Sequence, residues 1–162
     1  MLKLIPYRYK ILILTLQTDE VEYLISSVTE TRESTLQFYE QKDKIKDLFK
    51  FRGIVDSKKF IISRKSGYYQ PFVPLIIGKI DTTSNGCIVH LTFKLFNNTQ
   101  YMLLLSTLFF FGYGVVKLLH EDITTSGIFF GLCLLNYIVA FSNFNVHTRE
   151  ALKQLNNVLS WD

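Results

Sequence analysis

Two cysteines and three histidines are all that this chain of 162 residues offers to metal and disulfide chemistry. Cys87 falls in a predicted strand and Cys133 in a long apolar run, so neither a disulfide framework nor a zinc spacing follows from them. The histidines, His90, His120 and His147, are scattered over a strand, a short connector and the tail. No HExxH pair, phosphate-cradling glycine loop, GxSxG elbow or paired-cysteine motif is present. Ser63 and Ser66 have nucleophilic hydroxyls, but the sequence assigns no base to either. The expectation is a protein without metal or cofactor and without enzymatic activity.

Charge is missing from two stretches in particular. Of the 18 Lys and Arg, 15 lie before Gln100, and residues 101–116 and 126–144 carry no charged side chain. The first run extends to residue 119 if Lys117 snorkels its ammonium outward. Each is then about 19 residues long, which at ~1.5 Å per residue spans roughly 30 Å of hydrocarbon. A β domain of this size has too little surface to cover two such helices, so the sequence predicts a transmembrane hairpin. The connector, residues 120–125, is short enough to make the two helices antiparallel neighbours.

The charges that remain orient the hairpin. The connector holds Glu121 and Asp122 beside Lys117, whereas Lys94, Arg149, Lys153 and a basic domain lie at the other end. By the positive-inside rule both termini are expected in the cytoplasm and the connector outside. The tail from Thr148 carries Leu152, Leu155, Val158 and Leu159 near helical spacing, an amphipathic helix for the membrane surface or the β domain. Near the N-terminus, Lys3, Arg8 and Lys10 precede only a short apolar run, which reads as a strand rather than a signal-peptide core.

Aromatic and β-branched residues fill the first hundred positions. Residues 7–16 are rich in strand formers without Gly or Pro, and predict a largely buried strand. Thr18 reads as an N-cap with Asp19 and Glu20 behind it, and Val21, Leu24, Ile25 and Val28 form one apolar stripe on a short helix. Residues 29–47 are polar and predict a loop. Two hairpins follow, over 48–65 around Asp56-Ser57-Lys58 and over 75–96 around residues 82–86. In the last strand Val89, Leu91, Phe93 and Leu95 alternate with His90, Thr92 and Lys94, the pattern of a half-buried strand. Pro71 and Pro74 interrupt pairing between the hairpins. The expected architecture is α+β: a small antiparallel sheet or partly closed barrel of five strands with one short helix. A transmembrane hairpin and a C-terminal amphipathic helix complete it, with domains at 1–98, 99–145 and 146–162.

Two groups of residues are candidate binding elements. Arg52, Lys59, Arg64 and Lys65 lie close in sequence to Tyr68 and Tyr69, cations beside aromatic faces that suit an anionic ligand. The plainer reading is a solvated hairpin rim with its tyrosines at the lipid interface. In the apolar runs, Gly127 and Gly131 make a small-xxx-small spacing, and Gly112 and Gly114 are candidates to face them. Packing inside the hairpin is the simplest use of these glycines, and packing between protomers is the other. Asn136, mid-helix, requires a hydrogen-bond partner such as Ser106, Thr107 or a second copy of itself.

Phe51-Arg52-Gly53, Lys59-Phe60-Ile61-Ile62-Ser63-Arg64, residues 74–78 and the strand 89–95 entering the first apolar helix resemble a family of small bacterial membrane proteins without an established activity. The stretch 67–70, poor in glycine and rich in tyrosine, departs from that pattern. The resemblance implies the bacterial inner membrane as location, and architecture rather than chemistry. The architecture is also similar, more loosely, to the two-helix β-barrel effectors of bacterial cyclic-nucleotide anti-phage defence, in which the helices precede the β domain. The expected partners are the lipid bilayer, an anionic ligand or cytosolic protein, and a second copy through the hairpin; nucleic acid is not expected. The leading expectation is a non-enzymatic membrane sensor or binding protein, and the alternative is a triggered, membrane-disrupting effector.

Overall fold

The computed structural model describes residues 5–31, 50–65 and 72–159. Strand β1 (Tyr7–Leu14) leads through helix α1 (Thr18–Ser27) to β2 (Thr29–Thr31). Strands β3 (Phe51–Asp56), β4 (Lys59–Arg64), β5 (Leu75–Thr83) and β6 (Gly86–Lys94) follow. Two helices, α2 (Asn97–Leu119) and α3 (Ile123–Leu159), complete the described chain. The strands form an open six-stranded sheet in the order β1-β6-β5-β4-β3-β2. All neighbours are antiparallel except β2 and β3, which run parallel.

Local chemistry explains the elements. Glu20 reaches back to accept the Gln17 backbone N–H at 2.9 Å, so the cap of α1 is Gln17 and Thr18 is its first helical residue. Thr18 instead meets Thr82 through paired hydroxyls at 3.1 Å, which ties the start of α1 to the far end of β5. Both expected hairpins form, each with a two-residue turn. Gly86 sits at φ +134°, in the region glycine alone occupies without strain, and a Cβ there would lie 2.1 Å from the Leu14 carbonyl oxygen. Gly78 serves packing: a Cβ would fall 2.0 Å from the Phe60 ring, whose outer atoms occupy that space from the neighbouring strand.

One face of the sheet is covered. Val21 and Ile25 of α1 join Phe51, Phe60, Ile62, Ile76, Ile80, Val89, Leu91 and Phe93 in one core. Ala140, Phe144, Ala151, Leu155 and Leu159 of α3 belong to the same core. Their spacings of four and seven residues place them on one stripe of the helix. The C-terminal part of α3 is therefore the lid of the β domain.

Three expectations change. The strand at 7–16, expected to be largely buried, is an edge strand whose outer row, Tyr7, Tyr9, Ile11 and Ile13, is exposed, Ile13 by 82%. Its β-branched and aromatic residues read as buried, but only alternate ones, Leu12 and Leu14, turn toward the core. Residues 29–31, expected in a loop, form β2 beside β3 and bring the strands to six. The tail is not a separate helix: α3 runs unbroken through Asn143 and Asn145, so the 145/146 division falls inside one element.

Both α2 and α3 are long and apolar enough to cross a membrane, and only 11% of the apolar window of each is buried within the chain. The lid half of α3 is the opposite, with its inward residues closed to solvent. Leu155→Ala is therefore expected to cost about 2–5 kcal/mol of stability, against less than about 0.5 kcal/mol for the exposed Lys153→Ala. Thermal unfolding of the purified chain measures both, and equal midpoints would remove α3 from the core.

Candidate functional site

Strand register gathers the basic residues at one end of the sheet. Phe51 pairs with Arg64, Ser63 with Leu75, Leu75 with Lys94, and Lys94 with Tyr7. This is the end at which β6 passes through Leu95 and Phe96 into α2. Arg52, Arg64 and Lys65 lie here, and each meets a carboxylate. Glu30 accepts from Arg52 Nε at 3.4 Å and stands 3.8 Å from Lys65 Nζ. Arg64 donates to Glu150 of α3, and its second terminal nitrogen lies 3.3 Å from His147 Nδ1. Glu150 is also 3.6 Å from that histidine nitrogen. The result is a clamp between the sheet and α3, formed where the helix leaves its apolar stretch.

Lys59 is not part of this rim. It opens β4 beside Asp56 and Lys79, about 16 Å of strand away from Arg64 at ~3.3 Å per residue. Tyr68 and Tyr69 lie outside the described residues. Three of the four candidate cations are thus brought together and one is placed apart.

A second group was missed by sequence reasoning. On the outer sheet face, the Tyr9 hydroxyl is 2.5 Å from His90 Nδ1, with the two rings stacked. His90 Nε2 lies 3.2 Å from Asp81 Oδ2, and Lys79 Nζ lies 2.8 Å from Asp81 Oδ1. With its Nε2 proton directed at the carboxylate, His90 presents Nδ1 as the acceptor for the tyrosine proton. A hydrogen bond from Lys79 holds the Asp81 carboxyl below the ordinary carboxylate range; desolvation opposes the shift, and the charge of Lys79 and a hydrogen bond from His90 add to it. Chemically this is a proton relay ending on a phenol. It stands on an open face, with Tyr9 48% exposed, so nothing there concentrates its electrostatics by excluding water. Only register could have revealed it, because the group joins strands more than seventy residues apart.

The apolar hairpin holds the third group. Asn136 Nδ2 donates to Ser106 Oγ at 2.8 Å and lies 3.4 Å from Thr107 Oγ1. Both hydroxyls donate to the Leu103 carbonyl one turn earlier. Ser126 Oγ donates to the Gly114 carbonyl at 2.9 Å, and Gly114 receives the Phe130 ring so closely that a Cβ would lie 3.0 Å from it. Of the four candidate glycines, Gly114 alone packs inside the hairpin. At Gly112, Gly127 and Gly131 a Cβ would meet nothing within 4 Å.

The fold defines a class: an open mixed sheet whose lid helix is continuous with an apolar helical hairpin. No protein-family model and no curated protein matches the sequence. Among solved structures, a polyketide-cyclase-like protein from Corynebacterium glutamicum is similar at 13% identity, over 93% of this chain and 94% of that one. Its TM-score is 0.33, a value that fixes neither fold nor function.

Two predictions follow from these contacts. A carboxyl depressed in the folded state stabilises it above the unfolded titration range, and that contribution is lost as pH falls through the folded value. Asp81→Asn should therefore narrow the difference in melting temperature between about pH 7 and about pH 3, and an unchanged difference would mean that the relay is not formed. Asn136→Leu removes both hydrogen bonds that its Nδ2 gives to α2 and should cost about 0.6–2 kcal/mol of hairpin stability, whereas Asn143→Leu should cost less. Thermal unfolding resolves the pair.

Proposed function

We propose that this chain is a non-enzymatic binding or sensor protein anchored in the bacterial inner membrane by the α2–α3 hairpin. Its β domain and both ends of the described chain face the cytoplasm, where the domain takes an anionic ligand or a protein partner. The observation that carries the reading is the continuity of α3. The same 37-residue helix contributes one side of the hairpin and the lid of the β domain. A partner that shifts the lid therefore acts directly on the anchor, without an intervening linker. Charge supports the orientation: the rim at the domain end is basic, while the connector carries Glu121 and Asp122 with Lys117 3.9 Å from the latter.

Labelling with a membrane-impermeant maleimide tests this arrangement. In a background with both native cysteines replaced, His120→Cys should react in intact spheroplasts, and Lys58→Cys should react only after permeabilisation. The reverse pattern would invert the topology, and loss of both proteins from carbonate-washed membranes would sink the anchor.

A second reading is favoured by one observation. Gly112, Gly127 and Gly131 leave small-residue surfaces uncovered on the hairpin, the kind of surface that lets another helix approach closely. On that reading a nucleotide or partner triggers assembly of hairpins and the membrane is breached. Expression of the intact chain should then depolarise cells, and Gly131→Leu should abolish the effect. Unchanged potential at high expression favours the anchor.

A further inference from the structure

The two ends of the β domain differ in charge, and the difference is one of unpaired cations. At the hairpin end the described residues include seven cations and two carboxylates, a net of five positive charges. Glu30 and Glu150 occupy Arg52, Lys65 and Arg64. Arg8, Lys50, Lys94 and Arg149 have no ion-pair partner among the described residues. Register fixes three of them at this end. Arg8 stands opposite Phe93, and Lys94 stands between Tyr7 and Leu75. Lys50 immediately precedes β3 and bonds the Val28 carbonyl through its backbone. Arg149 adjoins Glu150 on α3. At the far end the described residues include four carboxylates, Asp19, Glu20, Asp56 and Asp81, and three lysines, Lys58, Lys59 and Lys79, and the excess is reversed.

We infer that these four cations form a collar that holds the phosphates of anionic phospholipids against the base of the β domain. The inference rests on the membrane reading above and adds the ligand. If α2 and α3 span a bilayer, the headgroup layer lies at the collar, since α2 begins three residues after Lys94. Tyr101, one turn into α2 and 71% exposed, supplies the amphipathic ring that favours the same layer. A free cation near an anionic surface gains about 1 kcal/mol, and four of them in one ring prefer phosphatidylglycerol or cardiolipin to a zwitterionic lipid. The paired residues have a different role in this arrangement. By satisfying Arg52, Arg64 and Lys65 internally, Glu30 and Glu150 fix the rim in shape and leave its outer cations to the lipid. The occupant is a headgroup phosphate on a diacyl lipid, whose tails lie along the uncovered sides of α2 and α3 while its charge meets the collar.

Native mass spectrometry of the full chain, released from micelles containing equal phosphatidylglycerol and phosphatidylcholine, reads this directly. The wild-type chain should retain the anionic lipid over the zwitterionic one by about tenfold. The triple variant Lys50→Gln, Lys94→Gln, Arg149→Gln should lose that preference. Lys58→Gln with Lys59→Gln at the far end should keep it. Equal retention of the two lipids by the wild-type chain would overturn the proposal whether or not the triple variant folds. Displacement of phosphatidylglycerol by millimolar inorganic phosphate would overturn it too, by showing a site for a free anion. Carbonate-resistant membrane association of the same proteins separates these failures from failure of the anchor, because it depends on the hairpin and not on the collar.

Discussion

The structure depends on α3 changing its neighbours without changing its backbone. Through the first half of its length its large side chains, such as Leu134, Leu135 and Ile138, remain exposed. From Ala140 to Leu159 a buried stripe packs on the sheet and α1. A helix makes this crossing without difficulty because its peptide groups bond to one another whatever surrounds the side chains. A loop at Asn143 and Asn145 would release N–H and C=O groups at the boundary, where each one lacking a partner costs free energy. Small residues do the rest. Ala140, Thr148 and Ala151 on the buried stripe keep the helix close to its neighbours, and larger residues between them fill the core.

The same boundary organises the charges. Arg64 meets His147 and Glu150 two to three turns after Ala140, within the buried part of α3, and the contact joins β4 to the helix. Glu30 performs the matching task for Arg52 and Lys65 on the other side of the rim. An exposed ion pair contributes little, but these carboxylates are shared: Glu30, itself largely buried, serves Arg52 and Lys65 together, and Glu150 faces both Arg64 and His147. The domain therefore meets the hairpin through a stiff, charged joint. The lid and one side of the hairpin are one helix.

Much of this was legible. Alternation in residues 87–95 located β6, the two uncharged runs located α2 and half of α3, and the stripe at Val21 and Ile25 located α1. These patterns survive because burial on one face imposes a fixed period on the sequence. The misreadings share a cause. In β1 the apolar residues occupy both faces, so composition indicated burial, whereas an edge position leaves one face open. The three residues of β2 are too few to carry a period. Continuity through Asn143 and Asn145 is decided by packing of Phe144 and Thr148, which local propensity does not contain. The relay at Tyr9, His90 and Asp81 needs three strands in register before all of its members meet. The same holds for the clamp at Arg64, whose partners on α3 lie more than eighty residues away.

Two routes to self-association are available on the surface, and geometry sets them against each other. Among the described residues, β1 is an edge strand of eight residues, and a second copy pairing with it in antiparallel fashion would extend the sheet. Tyr7 lies at the hairpin end of β1 and Leu14 at the far end. Antiparallel pairing would thus put the two hairpins at opposite ends of the joined sheet, about 26 Å of strand apart at ~3.3 Å per residue. Contact between hairpins through Gly127 and Gly131 requires both at the same end. One dimer cannot use both surfaces. The exposed Lys10 on β1 adds a charge that disfavours edge pairing.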